Sequence, residues 1–82
     1  MNHETALHLL ATFCTMPAQY NRHSVARHLE YARISRNFWQ QKELTRLRHE
    51  THIDMCRIHR RAAELVAKHG QRCDSNAYPV SL

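Results

Sequence analysis

An all-α fold, a small bundle of about three helices, is expected from three features of this chain. Its 82 residues include one glycine, Gly70, and two prolines, Pro17 and Pro79, too few turn formers for a sheet of many short strands. From Tyr20 to His69 neither residue type occurs, a run of fifty positions. Along that run the apolar residues recur at spacings of three and four, the period of an amphipathic helix. Length adds a bound: one domain at most, near the size below which a core alone rarely sustains a fold. We expect a single helical domain over residues 1–70 and a tail over 71–82, extended or disordered.

The first helix is read in HETALHLLATFC, where Ala6, Leu7, Leu9, Leu10, Phe13 and Cys14 make a wide apolar stripe. Asn2 can cap it, and it should end near Thr15, because Pro17 disfavours helix at the residue before it. Pro17 suits the first turn of a following helix, so a second helix is expected at about 18–35. Val25, Leu29 and Ala32 are its apolar register. A second register, Leu44, Leu47, Thr51, Met55, Ile58, Ala62 and Leu65, meets polar residues when traced back to Gln40, Asn37 and Arg33. The two stripes do not join, which places a junction near 35–38, where Asn37 and Gln40 resemble a capping box. The third helix should run from about 38 to 69. At ~1.5 Å per residue it would span ~45 to 50 Å, long enough to leave its far end in need of a partner and to pair in a homodimer. A break at Thr51, with Asp54 three residues on, is the competing reading. Lys68-His69-Gly70 fits a helix end with cations in its last turn and glycine in the left-handed position.

Charge and cysteine content narrow the function. Twelve basic residues, ten of them Arg, stand against seven acidic ones, a formal net charge of +5. That balance suits an acidic protein partner or nucleic acid. Three cysteines, Cys14, Cys56 and Cys73, are an odd number without regular spacing, so no disulfide framework is expected. There is no membrane-spanning run of ~20 apolar residues. ALHLLATFC lacks a preceding basic region and is interrupted by His8, which argues against a signal peptide and for a cytoplasmic protein.

The stretch RLRHETHIDMCRIHRR contains H-x2-H-x3-C-x2-H: His49, His52, Cys56 and His59. On a helix all four share a face about 80° wide, beside the apolar seam of Leu47, Met55 and Ile58. His49 and His59 would lie ~15 Å apart along the axis, too far to share one tetrahedral ion. His52 and Cys56, at i and i+4, are the minority metal candidates, and they need two further ligands from Cys14, His23, His28 or Cys73. The favoured reading is a polar strip that meets a partner. Eight histidines in all also raise a pH sensor, since their protonation below about pH 6.5 would add charge. Cys56 and His59 at i and i+3 lack an oxyanion loop or orienting group, so no enzyme and no cofactor are expected.

Ala26 to Glu30 read as A-x2-L-E, followed by Trp39 and then Cys56-Arg57, are similar to the AraC negative regulators, short regulators of enterobacteria and phages. In that family the Glu-to-Trp interval is longer and contains a Gly-aromatic pair. Both features are missing here, and nothing is carried over from the likeness.

The function expected is therefore non-enzymatic: a small basic helical regulator or inhibitor that binds a larger protein, one belonging to a nucleic-acid-handling machine. Inhibitors carried by mobile elements have this size and charge. Arg36, Trp39, Arg46, Arg57, Arg60, Arg61, His49 and His59 are the residues expected to meet the partner, Trp39 and the arginines because these types dominate interface hot spots. Direct DNA binding by the arginines of helices two and three is the first alternative, although interleaved acids weaken it and no glycine marks a helix-turn-helix. A small zinc module is the second.

Overall fold

A computed structural model describes residues 1–36 and 43–72, which form three helices, α1 (His3–Phe13), α2 (Ala18–Arg36) and α3 (Glu43–His69). The described residues include no strand. The Asn37–Gln40 capping box, Phe38 and Trp39 lie outside them, as does the chain from 73 onward.

The helix ends follow the local chemistry. Asn2 caps α1, its Oδ1 accepting from the Thr5 amide at 2.7 Å. After the turn at 14–16, the Pro17 carbonyl accepts from the Asn21 amide at 3.2 Å and opens α2. Gly70, at φ +84°, closes α3 in the left-handed conformation that its lack of a Cβ permits, with its amide on the Val66 carbonyl at 2.8 Å. No break occurs at Thr51, because the i,i+4 ladder continues through it and α3 runs on for 27 residues. The chain beyond Gly70 folds back: the Arg72 amide donates to the Cys14 carbonyl at 2.8 Å, and Gln71 Nε2 to the Thr15 carbonyl at 3.0 Å. The packed part of the chain thus extends at least two residues past the boundary expected at 70.

The hydrophobic core lies at one end. Ala6, Leu10 and Cys14 meet Ile58, Ala62, Leu65 and Val66, with Leu9, Phe13 and Ala18 packed around them. We call this end proximal and the α2–α3 turn distal. The cause of the polarity is length: α1 has 11 residues, ~16 Å, and α3 has 27, ~40 Å. α1 cannot reach the distal half of α3.

Two expectations change. Leu29, assigned to the apolar register of α2, is exposed, and the buried positions of that helix are Asn21, Ser24 and Ala32. Small and polar residues form the seat of α2 on α3 because the facing side chains are imidazoles and a thiol. The distal part of α3 is also not solitary, since α2 lies along it. What stays open is the face of α3 that α1 covers proximally.

Candidate functional site

The H-x2-H-x3-C-x2-H stretch of α3 faces α2, and each of its four members meets a polar group there. His59 Nδ1 meets Asn21 Oδ1 at 2.8 Å, and Cys56 Sγ meets the Val25 carbonyl at 3.5 Å. His52 Nδ1 meets His28 Nδ1 at 2.9 Å, and His49 Nδ1 meets the Ala32 carbonyl at 2.7 Å. Positions 21, 25, 28 and 32 step by four, three and four; positions 59, 56, 52 and 49 step by three, four and three. Two antiparallel helices with those spacings meet rung by rung.

Proton positions follow from the partners. A carbonyl only accepts, so His49 carries its hydrogen on Nδ1. The Asn21 amide nitrogen donates to the Phe13 carbonyl at 3.0 Å and to the Pro17 carbonyl at 3.3 Å, which leaves its oxygen to accept from His59 Nδ1. In this way Asn21 ties the end of α1, the start of α2 and the middle of α3 together. In the His28–His52 contact one ring donates and the other accepts, so at least one of the two is neutral.

The rings also stack. Phe13 lies on His59 with centroids 3.8 Å apart and planes 13° from parallel. His28 follows at 5.7 Å from His59, and Tyr31 closes the column against His52 at 5.3 Å. Burial disfavours the imidazolium at each of the three histidines. His59 is pushed down to about 4, first by burial, then by His28 and Arg27. His28 is lowered by burial and by His52 and Arg27, and His52 by burial and by His49. The Cys56 thiol is raised by burial, with Arg60 acting in the opposite sense.

This arrangement corrects the reading of the strip as partner-facing. His59 is 3% exposed and is spent on an internal contact, so it cannot meet a partner. His49 is half-buried on the α2 backbone. The metal candidates His52 and Cys56 turn to different groups of α2, and among the described residues no three His, Cys, Asp or Glu side chains gather around one point. Cys14 and Cys56 are buried free thiols.

The arginines distribute otherwise. Arg46, Arg57 and Arg60 are exposed on α3, roughly 60–120° around the helix from the centre of the histidine strip. Arg46 pairs with Glu50 at 3.4 Å and Arg57 with Asp54 at 3.6 Å. Arg61 pairs with Glu64 at 3.2 Å and borders a groove beside the N-terminus of α1. Arg36 is exposed at the end of α2, and Trp39 lies outside the described residues. The described members of the expected partner-binding set do not converge on one site.

A different surface does gather. Tyr31, Ile34, Ser35, Arg48 and His52 line an open groove of about 410 Å³ between the distal parts of α2 and α3. Leu47 stands next to it, 50% exposed, although it lies only ~20° around α3 from buried Ile58. The groove thus continues the seat that α1 occupies proximally. The sequence places Leu47 on the seam and offers Tyr31 as a residue of an interface-prone type, but Ile34 was missed; its i,i+3 spacing from Tyr31 was the available signal.

No helix among the described residues is long and apolar enough to cross a membrane. Compared with family models, with curated proteins and with solved structures, the chain gives no match.

Proposed function

We propose that this chain is a non-enzymatic helical regulator or inhibitor that acts by binding a larger protein. One observation carries the reading: the apolar seam of α3 is buried under α1 from Ile58 onward and uncovered at Leu47, where Tyr31 and Ile34 of α2 lie exposed as well. An apolar surface bordered by polar residues is the usual signature of a docking site. Tyr and Arg, the hot-spot types, are both present in its lining. The net charge of +5 favours an acidic partner, and proteins that handle nucleic acid frequently present such surfaces. The cysteine pattern suits work in the cytoplasm.

The test is paired capture. Wild-type protein and Leu47→Asp are used as baits in an extract of the native cell, and both are put through a duplex-DNA mobility shift over a salt series. A protein retained by wild type and lost by Leu47→Asp, with helicity unchanged, supports the reading. Duplex binding with steep salt dependence that survives Leu47→Asp would replace it with DNA binding by the arginines.

A further inference from the structure

The groove next to Leu47 has a shape and a charge that specify more than an unnamed protein. On α2, Arg27, Tyr31 and Ile34 follow one another at i, i+4 and i+7 and share a face. On α3, Arg48, His52 and Met55 do the same, with Leu47 and Thr51 beside them. Tyr31 and Ile34 of the lining are each about half exposed, as is Leu47, the chain neighbour of Arg48, so the groove and its border offer open apolar surface. Arg48 is the arginine of the lining, and no carboxylate lines the cavity.

The proximal half of the same face shows what such a seat accepts. α1 lies there as a three-turn helix, and it contacts α3 through Ala6, Leu10 and Cys14, spaced by four. The floor residues repeat along α3 at the same helical spacing, from Ile58 back to Leu47. We infer that the distal groove takes an amphipathic helix from another protein, laid end to end with α1, whose apolar stripe is flanked by acidic side chains. Arg48 in the lining receives the carboxylates, with Arg27 exposed on the α2 face that carries Tyr31 and Ile34. A second copy of this chain fits less well, because the net charge is +5 and the groove would set arginine against a basic surface. This inference rests on the protein-binding reading and adds the class of partner.

Two synthetic helical peptides of identical leucine stripe test it, one flanked by glutamates and one by lysines. Each is titrated into the full ¹⁵N-labelled chain. The Glu-flanked peptide should shift the resonances of Ile34, Leu47, Arg48 and His52, and the Lys-flanked peptide should not. Arg48→Glu should weaken the Glu-flanked peptide by about tenfold or more, and Ile34→Asp should abolish its binding. Rescue of a Lys-flanked peptide by Arg48→Glu would confirm the polarity. Neither residue belongs to the buried core, so unchanged spectra elsewhere show that the variants fold. Equal shifts with both peptides, shifts confined to other surfaces, or dilution-dependent shifts of the same residues without peptide would each overturn the inference. The last outcome would assign the groove to a second copy. If capture from extract is lost in Leu47→Asp while the Glu-flanked peptide fails, the regulator reading stands and the acidic-helix inference falls.

Discussion

The proximal and distal ends of this molecule are built from the same two helices, yet they are held by different forces. At the proximal end α1 adds a third layer, and Leu10, Ile58, Leu65 and Val66 leave water together. Each such side chain contributes about 1.5–3 kcal/mol when fully buried. At the distal end, among the described residues of 27–36 and 46–50, Ala32 alone is fully buried, and the helices meet through imidazoles and backbone carbonyls. Net gains there are about 0.5–1.5 kcal/mol per hydrogen bond. One end is a core. The other is a contact that leaves its apolar edge available for something else.

The contrast is broken or kept by truncating one leucine at each end. Leu10→Ala removes a side chain with no exposure and leaves a cavity, so urea denaturation should show a loss of about 2–5 kcal/mol. For a domain of this size that is a fall in Tm of roughly 10 °C or more. Leu47→Ala should change stability by less than about 0.5 kcal/mol, because its side chain is half in water already. Comparable losses at the two positions would mean that the distal seam is covered in solution by a further copy or by the residues that follow.

Acid should act next most strongly, again at the proximal end. His59 is neutral in the folded chain down to about pH 4, whereas in the unfolded chain it takes its proton near the ordinary value of about 6.5. Between those values the unfolded state binds more protons, so stability is fully present above pH 6.5 and is lost as pH falls toward 4. His28 and His52, also lowered, add to the loss in the same direction. The His59 contribution should be on the order of 2–3 kcal/mol, read as a drop in Tm between pH 7 and pH 4.5. His59→Phe, which keeps a ring against Phe13, should flatten that dependence even if it lowers stability at neutral pH. An unchanged slope would place the acid sensitivity in other groups.

Asn21→Ala comes third. It leaves the imidazole N–H of His59 without its acceptor in a buried junction and takes a second donor from the Phe13 and Pro17 carbonyls, which keep the Met16 and Asn21 backbone amides, for about 1–3 kcal/mol, and it should accelerate amide exchange at the start of α2. Substituting His49, at the half-exposed end of the same ladder, should cost less, and the ratio of the two measures how fast the ladder weakens from one end to the other.

How much of this was readable beforehand depends on whether a signal was local. Asn2, Pro17 and Gly70 act within one turn of their own position, and the capped start of α1, its end before α2 and the left-handed terminus of α3 follow from them, whereas the separation of α2 from α3 was read from two apolar registers that do not join. The register of α3 was equally legible from Leu47 to Leu65. The partner of the histidine strip was not, because it requires two spacing patterns far apart in sequence to be recognised as one antiparallel ladder. Asn21, Ser24 and His28 look like surface residues by type, and Val25 and Leu29 look like core. In α2 the polar pattern marks the packed face and Leu29 is exposed, an inversion that hydrophobicity alone reads backwards. The open groove was hidden for a further reason: α1 covers half of α3 and stops, so burial along one uniform stripe depends on the length of another helix.

An effect of the opposite sign is expected at Ser24. Its hydroxyl is buried in the seat of α2 on α3, 1% exposed, between the Asn21 and His28 contacts, and it has no hydrogen-bond partner in the structure. A buried hydroxyl without a partner loses its water and gains nothing in return. Ser24→Ala removes the orphan atom, keeps the small size that lets the helices approach, and raises helix propensity. Stability should therefore rise by about 1 kcal/mol, or several degrees in Tm, where most substitutions at a buried site lower it. A loss instead would mean that the hydroxyl is bonded in solution to water or to a neighbouring carbonyl. The interface would then be wetter than the dry proximal core, and the division between a core end and a polar end would begin at Ser24 instead of beyond it.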